Sequence, residues 1–136
     1  MSVLRLPSST ESVPVARRFV REQLAASGCD VDIAILLVSE LVTNAVLHAH
    51  GEVAVIVLDR GATARIEVGD DSPMPPRMHD FAVESATGRG LRLLDRLSLR
   101  WGAVPASSGV GKIVWFEVGT PSEAAWESFA DLRLDR

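Results

Sequence analysis

Cysteine is nearly absent from this 136-residue chain, in which Cys29 stands alone. One thiol cannot close an internal disulfide, so nothing asks for an oxidising compartment. A basic excess is missing too. Fourteen Lys and Arg face eighteen Asp and Glu, which leaves a net charge of −4 and a pI near 5.3. Binding to nucleic acid by bulk electrostatics normally needs the opposite sign, and so does attraction to an anionic membrane surface. The opening residues, Met1-Ser-Val-Leu-Arg-Leu-Pro7, hold no apolar export segment, and no uninterrupted apolar run reaches the length of a membrane span. Repeats, linkers and low-complexity stretches are also lacking. What remains is ordinary globular composition, 47% hydrophobic and 24% charged. The expectation is a soluble, cytoplasmic protein with one domain over residues 1–136, making no direct contact with nucleic acid or membrane.

The apolar pattern divides the chain cleanly. Residues 3–6 suit a short strand stopped by Pro7, and Ser8, Ser9, Thr10 and Ser12 form a cluster of helix-capping residues. Over 14–26, Val15, Phe19, Val20 and Leu24 recur at helical spacing with Arg17, Arg18, Arg21 and Glu22 between them, and Gly28 is a natural stop. This amphipathic helix could serve a homodimer as well as a core. A second helix, capped by Asp30 or Asp32, runs to about Ala49. Residues 52–59 and 63–70 are β-branched runs joined by Arg60-Gly-Ala62, a hairpin signal. Residues 71–90 hold three prolines and little periodicity; a loop so long in a small domain usually has a function. A short helix over 91–97, strands over 99–104 and 112–118, and a closing helix over 121–136 complete the order. Trp101, Trp115 and Trp126 are assigned to the core. Grouped helices and paired strands predict an α+β two-layer sandwich, with a mixed, mostly antiparallel sheet covered on one face by helices.

The second helix carries the most information. At about 100° per residue, Glu40, Asn44 and His48 form one narrow polar stripe. The rest of the helix is almost wholly apolar, from Ile33 through Leu47. Two readings compete: the stripe is the solvent face, or a carboxylate and an amide face a ligand and supply oxygens to a hard cation or a reacting hydroxyl. Asp70, at the end of a strand and followed by Asp71 and Ser72, is either an ordinary turn residue or an acceptor for a base or sugar. Gly88-Arg-Gly90-Leu91 opens a helix, where backbone N–H groups can approach phosphate. Sharper motifs fail. Gly109-Val-Gly111-Lys112 ends like a phosphate-binding loop but is followed by Ile113 and a strand, His48 and His50 are badly spaced for zinc, and no Gly-x-Ser-x-Gly elbow exists.

Taken in order, Glu40-Leu-Val-Thr-Asn44-Ala-Val-Leu-His48, then Asp70-Asp-Ser72, then Gly88-Arg-Gly90-Leu91, resemble the N, G1 and G2 boxes of the Bergerat-fold (histidine-kinase-like) ATPases. The pattern over residues 8–118 is most similar to the small stand-alone anti-sigma-factor serine/threonine kinases. The resemblance implies ATP and Mg²⁺ as cofactors. It implies Asn44 as the Mg²⁺ ligand, Asp70 as acceptor for the adenine amino group, and Glu40 as the catalytic residue that orients or deprotonates the attacking hydroxyl. His48 and Ser72 belong to the nucleotide-contacting set, and Gly88, Arg89, Gly90 and Leu91 shape the phosphate end of the lid. The implied partners are a sigma factor and a small antagonist protein. The wider family has glycines two and four residues after the G1 aspartate, and often a threonine in the last strand; here Ser72, Met74 and Ile113 stand in those places. A nucleotide-dependent binding module without kinase activity is the alternative from another class. A detached sensor-kinase catalytic domain is a third.

Overall fold

Alternation of β-branched and polar residues sets five strands: β1 (Ser2–Pro7), β2 (Glu52–Asp59), β3 (Ala64–Asp70), β4 (Arg100–Pro105) and β5 (Lys112–Val118). The helices are α1 (Ser12–Gln23), α2 (Val31–His48) and α3 (Gly90–Leu97). The computed structural model describes residues 1–49, 51–72, 90–106, 111–123 and 127. Of the closing helix expected over 121–136, Pro121, Ser122, Glu123 and Glu127 fall in that set; the first two are not helical and the two glutamates are.

The strands form one sheet in the order β1-β2-β3-β5-β4, and every neighbouring pair is antiparallel. The expected sandwich is therefore observed, with a sheet that is antiparallel throughout its described strands rather than mixed. Register aligns the apolar positions across it. Val55 lies opposite Val68, and Val68 opposite Val114; Val57 lies opposite Ile66, and Ile66 opposite Phe116. All six are buried, whereas Ala54, Ile56 and Leu58, which alternate with them along β2, are half-exposed. One face is thus apolar and covered: α1 packs on β1 and β2, α2 on β2, β3 and β5, and α3 on β4 and α2.

Asp30 starts α2 as expected, its Oδ1 accepting from the Ile33 N–H at 3.2 Å. Among the described residues α2 is the one helix long and apolar enough to cross a membrane, with mean hydropathy 1.6 over its 18 residues. Here that apolarity is spent on the sheet, because Ile33, Ala34, Leu37, Val38, Leu41, Val42 and Ala45 all face the core. In α1 the inward line is Ala16, Val20 and Leu24 with Phe19 beside it, and Val15 points outward instead. The helix also ends at Gln23, not near Gly28, whose N–H instead donates to the Gly61 carbonyl at 2.8 Å.

The other face of the sheet holds a charged cluster. Glu117 is 8% exposed and accepts from Arg100 Nη2 at 2.8 Å, with Arg65 Nη1 at 3.4 Å and Arg60 Nη1 at 3.6 Å. Trp115 lies on this face as well, its ring 4.1 Å from the Arg65 guanidinium and packed over Gly102. The assignment of the tryptophans to the core therefore needs correction. Trp101 packs at the core margin and donates to Asp95 Oδ1 at 2.9 Å, Trp115 lies outside it, and Trp126 falls outside the described residues. Hydrogen bonds from Arg100 hold the Glu117 carboxyl below its ordinary pKa, with Arg65 and Arg60 adding to the effect against the cost of burial. A depressed native pKa stabilises the fold above the ordinary carboxylate range, and that stabilisation fades as pH falls through this range toward the native value. Glu117→Gln is expected to cost about 2 kcal/mol at neutral pH, the scale of a charge-assisted hydrogen bond. Urea unfolding at several pH values checks this, because the deficit should shrink on acidification.

Candidate functional site

Connectivity decides which end of the sandwich holds the site. Residues 49–51 link α2 to β2, and Val53 of β2 pairs with Asp70 at the end of β3. The last turns of α2 therefore lie over the sheet end where Asp70 sits. The N-terminus of α2 is at the far end, where the Asp30 N–H donates to the Gly119 carbonyl at 2.7 Å.

On α2 the stripe of Glu40, Asn44 and His48 is not the solvent face. Asn44 is buried, Glu40 and His48 are half-buried, and the exposed residues are Asp32 and Leu47. Among the described residues neither Asn44 Oδ1 nor Nδ2 finds a hydrogen-bond partner, although both are shut off from solvent. A buried amide left this way costs roughly 1–3 kcal/mol, so a fold keeps one where a ligand satisfies it. Glu40 lies one turn before Asn44, about 6 Å along the axis.

Asp70 is the second element. Its Oδ1 accepts from the Ser72 N–H at 2.9 Å, which closes a tight turn and buries Ser72 at 2% exposure. Burial pushes the Asp70 pKa up. The Ser72 N–H, Lys112 and His48 pull it back, and Asp71 adds to the rise. His48 is thus near enough to Asp70 for its charge to act on the carboxyl. Asp71 lies with its carboxylate against Gly51, where any side chain would collide with it.

A raised native pKa means that the folded state binds its proton more tightly than the unfolded chain. Stability then falls as pH rises from the ordinary carboxylate range to the native value, and the deficit persists above it. Asp70→Asn is expected to raise the thermal midpoint at neutral pH and to lose this advantage in acid. Thermal melts across pH check the sign.

Gly88 and Arg89 lie outside the described residues, as does the long loop before them. Gly90 opens α3 and Leu91 follows it in the helix. Ile113, the residue set against the family threonine, pairs with Gly69 on the face turned away from the helices. The residue that β5 presents at the site is its neighbour Lys112, directly opposite Asp70. Sequence reading missed it, though the buried alternation Val114, Phe116, Val118 already points position 112 inward. Among the described residues no cluster of three His, Cys, Asp or Glu could hold a metal. A cavity of about 590 Å³ does open in the molecule, but at the opposite pole, between Asp30, Thr63, Leu99 and Ser122. None of the candidate residues lines it.

A helix-covered antiparallel sheet, with a buried amide and a carboxylate converging at one end, defines a Bergerat-type sandwich. The chain belongs to the histidine kinase-like ATPase domain family, whose model matches residues 6–117. No curated protein matches it. Among solved structures it is similar to the RsbU and RsbW domains of Rv1364c from Mycobacterium tuberculosis, with 18% identity and a TM-score of 0.55 over 90% of this chain. The chain spans about a third of that structure's length, 34%.

Proposed function

We propose that this protein binds ATP with Mg²⁺ and acts as an anti-sigma regulator, phosphorylating a small antagonist protein on a serine or threonine hydroxyl. The unsatisfied, buried amide of Asn44 carries the reading. It stands on the polar stripe of a largely apolar helix, toward the sheet end where His48 acts electrostatically on Asp70. Membership of the ATPase family and the fold shared with an RsbW-containing structure support it.

Mg·ATP would supply the transferable phosphoryl group and neutralise its charge, and the chain's own residues do the rest. Asn44 Oδ1 would offer one oxygen to the cation. Asp70 accepts from the adenine amino group, held for that task by the Ser72 N–H. Ser72 and His48 would border the nucleotide, and Gly88, Arg89, Gly90 and Leu91 are assigned to its phosphate end by the family resemblance. Glu40, one turn from Asn44 and not itself the cation ligand, aligns the incoming hydroxyl and takes its proton. Phosphoryl transfer is mostly positioning and charge neutralisation, so this short roster suffices.

Calorimetric titration tests the base assignment. Mg·ATP should bind in preference to Mg·GTP, because guanine offers an oxygen where adenine offers an amino group. Asp70→Asn should weaken that preference. Equal affinity of the wild type for both nucleotides counts against Asp70. A protein that binds ATP and its partner yet transfers no phosphate is the binding module instead.

A further inference from the structure

We propose that Lys112 is a second base-reading residue, an ammonium donor that works beside Asp70 to select adenine. The inference rests on the nucleotide-binding reading above and extends it to a residue outside the family boxes.

Three observations place it. Lys112 and Asp70 are cross-strand partners in the β3–β5 ladder, so their side chains leave the sheet on the same side. That side is the helix-covered one, because the next inward pair along the same two strands is Val68 and Val114, both buried. The Lys112 charge is also close enough to Asp70 to offset part of its desolvation.

The approach is built into the backbone. Gly111 has φ +92°, and a side chain there would run into the Asp70 carbonyl. A residue with a Cβ could therefore not bring β5 so near the end of β3. The Gly111 carbonyl also accepts from the Ala106 N–H at 3.0 Å, which ties the end of β4 to the start of β5 beside Lys112.

An acceptor and a donor side by side read two adjacent positions on a purine edge. With adenine, Asp70 accepts from the 6-amino group and Lys112 donates to the ring nitrogen beside it, N1 or N7. In the same pose guanine presents an oxygen to the carboxylate, and at N1 it presents an N–H to the ammonium. Both contacts then fail on the N1 edge, and one fails on the N7 edge. Lys112 also has a stem that Met can replace in volume, so its donor can be removed while the packing is kept.

The experiment titrates the full-length protein with ADP, GDP, 1-deaza-ADP and 7-deaza-ADP in the presence of Mg²⁺. Wild type, Lys112→Met and Lys112→Arg are compared, with a thermal melt of each as a folding control. The wild type should bind ADP about tenfold more tightly than one of the two deaza analogues, the scale of one charge-assisted hydrogen bond. That gap should close in Lys112→Met and survive in Lys112→Arg, and the analogue that shows it identifies the nitrogen. If Lys112→Met keeps the wild-type ratio for both analogues, or the wild type distinguishes neither, the Lys112 proposal is overturned while nucleotide binding stands. If the wild type binds no adenine nucleotide at all, the nucleotide-binding reading falls with it.

Discussion

Glu40→Gln should lower phosphoryl transfer to the partner hydroxyl by about 10²-fold or more while changing nucleotide affinity by less than about tenfold. The expectation follows from its place on α2. Glu40 is half-buried and one turn before Asn44, near enough to the reacting end to serve the nucleophile without serving the cation. Glutamine keeps the size and most of the hydrogen bonding of the side chain, and it loses only the basicity. Radiolabelled ATP with a small antagonist protein, run beside a binding titration of each variant, separates the two effects. A substitution that cuts affinity and transfer equally would make Glu40 a binding residue. Absence of transfer by the wild type, with partner binding intact in Glu40→Gln, would establish the module reading.

Asn44→Ala should weaken Mg·ATP binding by about 10²-fold and yet leave the ligand-free protein at least as stable as the wild type. The opposite signs are the informative part. Asn44 is 7% exposed and both of its amide atoms lack partners among the described residues, so the folded chain carries a desolvation cost that alanine removes. An amide held for structure behaves the other way, and its loss destabilises the fold while sparing the ligand. Thermal melts with and without Mg·ATP read both quantities at once, since a ligand that binds only the folded state raises the midpoint according to its affinity. A destabilised Asn44→Ala with an unchanged ATP-induced shift would remove Asn44 from the site. The gain expected for Asp70→Asn has the same origin, because both residues are kept buried at a cost that binding offsets.

Much of this was legible in one dimension because it depends on local periodicity. The Asp30 cap, the 18-residue apolar helix and the hairpin at Arg60-Gly-Ala62 are short-range signals, and each forms where its pattern predicts. Gly61, with φ +88°, sits in that turn, and its N–H donates to Asp59 Oδ1 at 3.0 Å. Failures came where a residue's environment is set by distant chain. Val15 has the chemistry of a core residue but lies off the line of Ala16 and Val20 that the sheet selects. Trp115 carries the largest side chain type in a strand and still lies on the outer face, where Arg65 stacks on it. Gly28 reads as a helix stop and serves instead as a close contact to the β2–β3 turn.

By itself the sequence determined the two-layer sandwich with a mostly antiparallel sheet and the stripe of Glu40, Asn44 and His48, since spacing along one helix needs no tertiary information. Tertiary structure alone decided that Asn44 in this stripe is buried and Glu40 and His48 half-buried, because that depends on which side of α2 the sheet covers. It alone decided as well that Asp70 faces Lys112 and not Ile113. Strand register assigns each residue to a face, and a slip of one position would have exchanged the two.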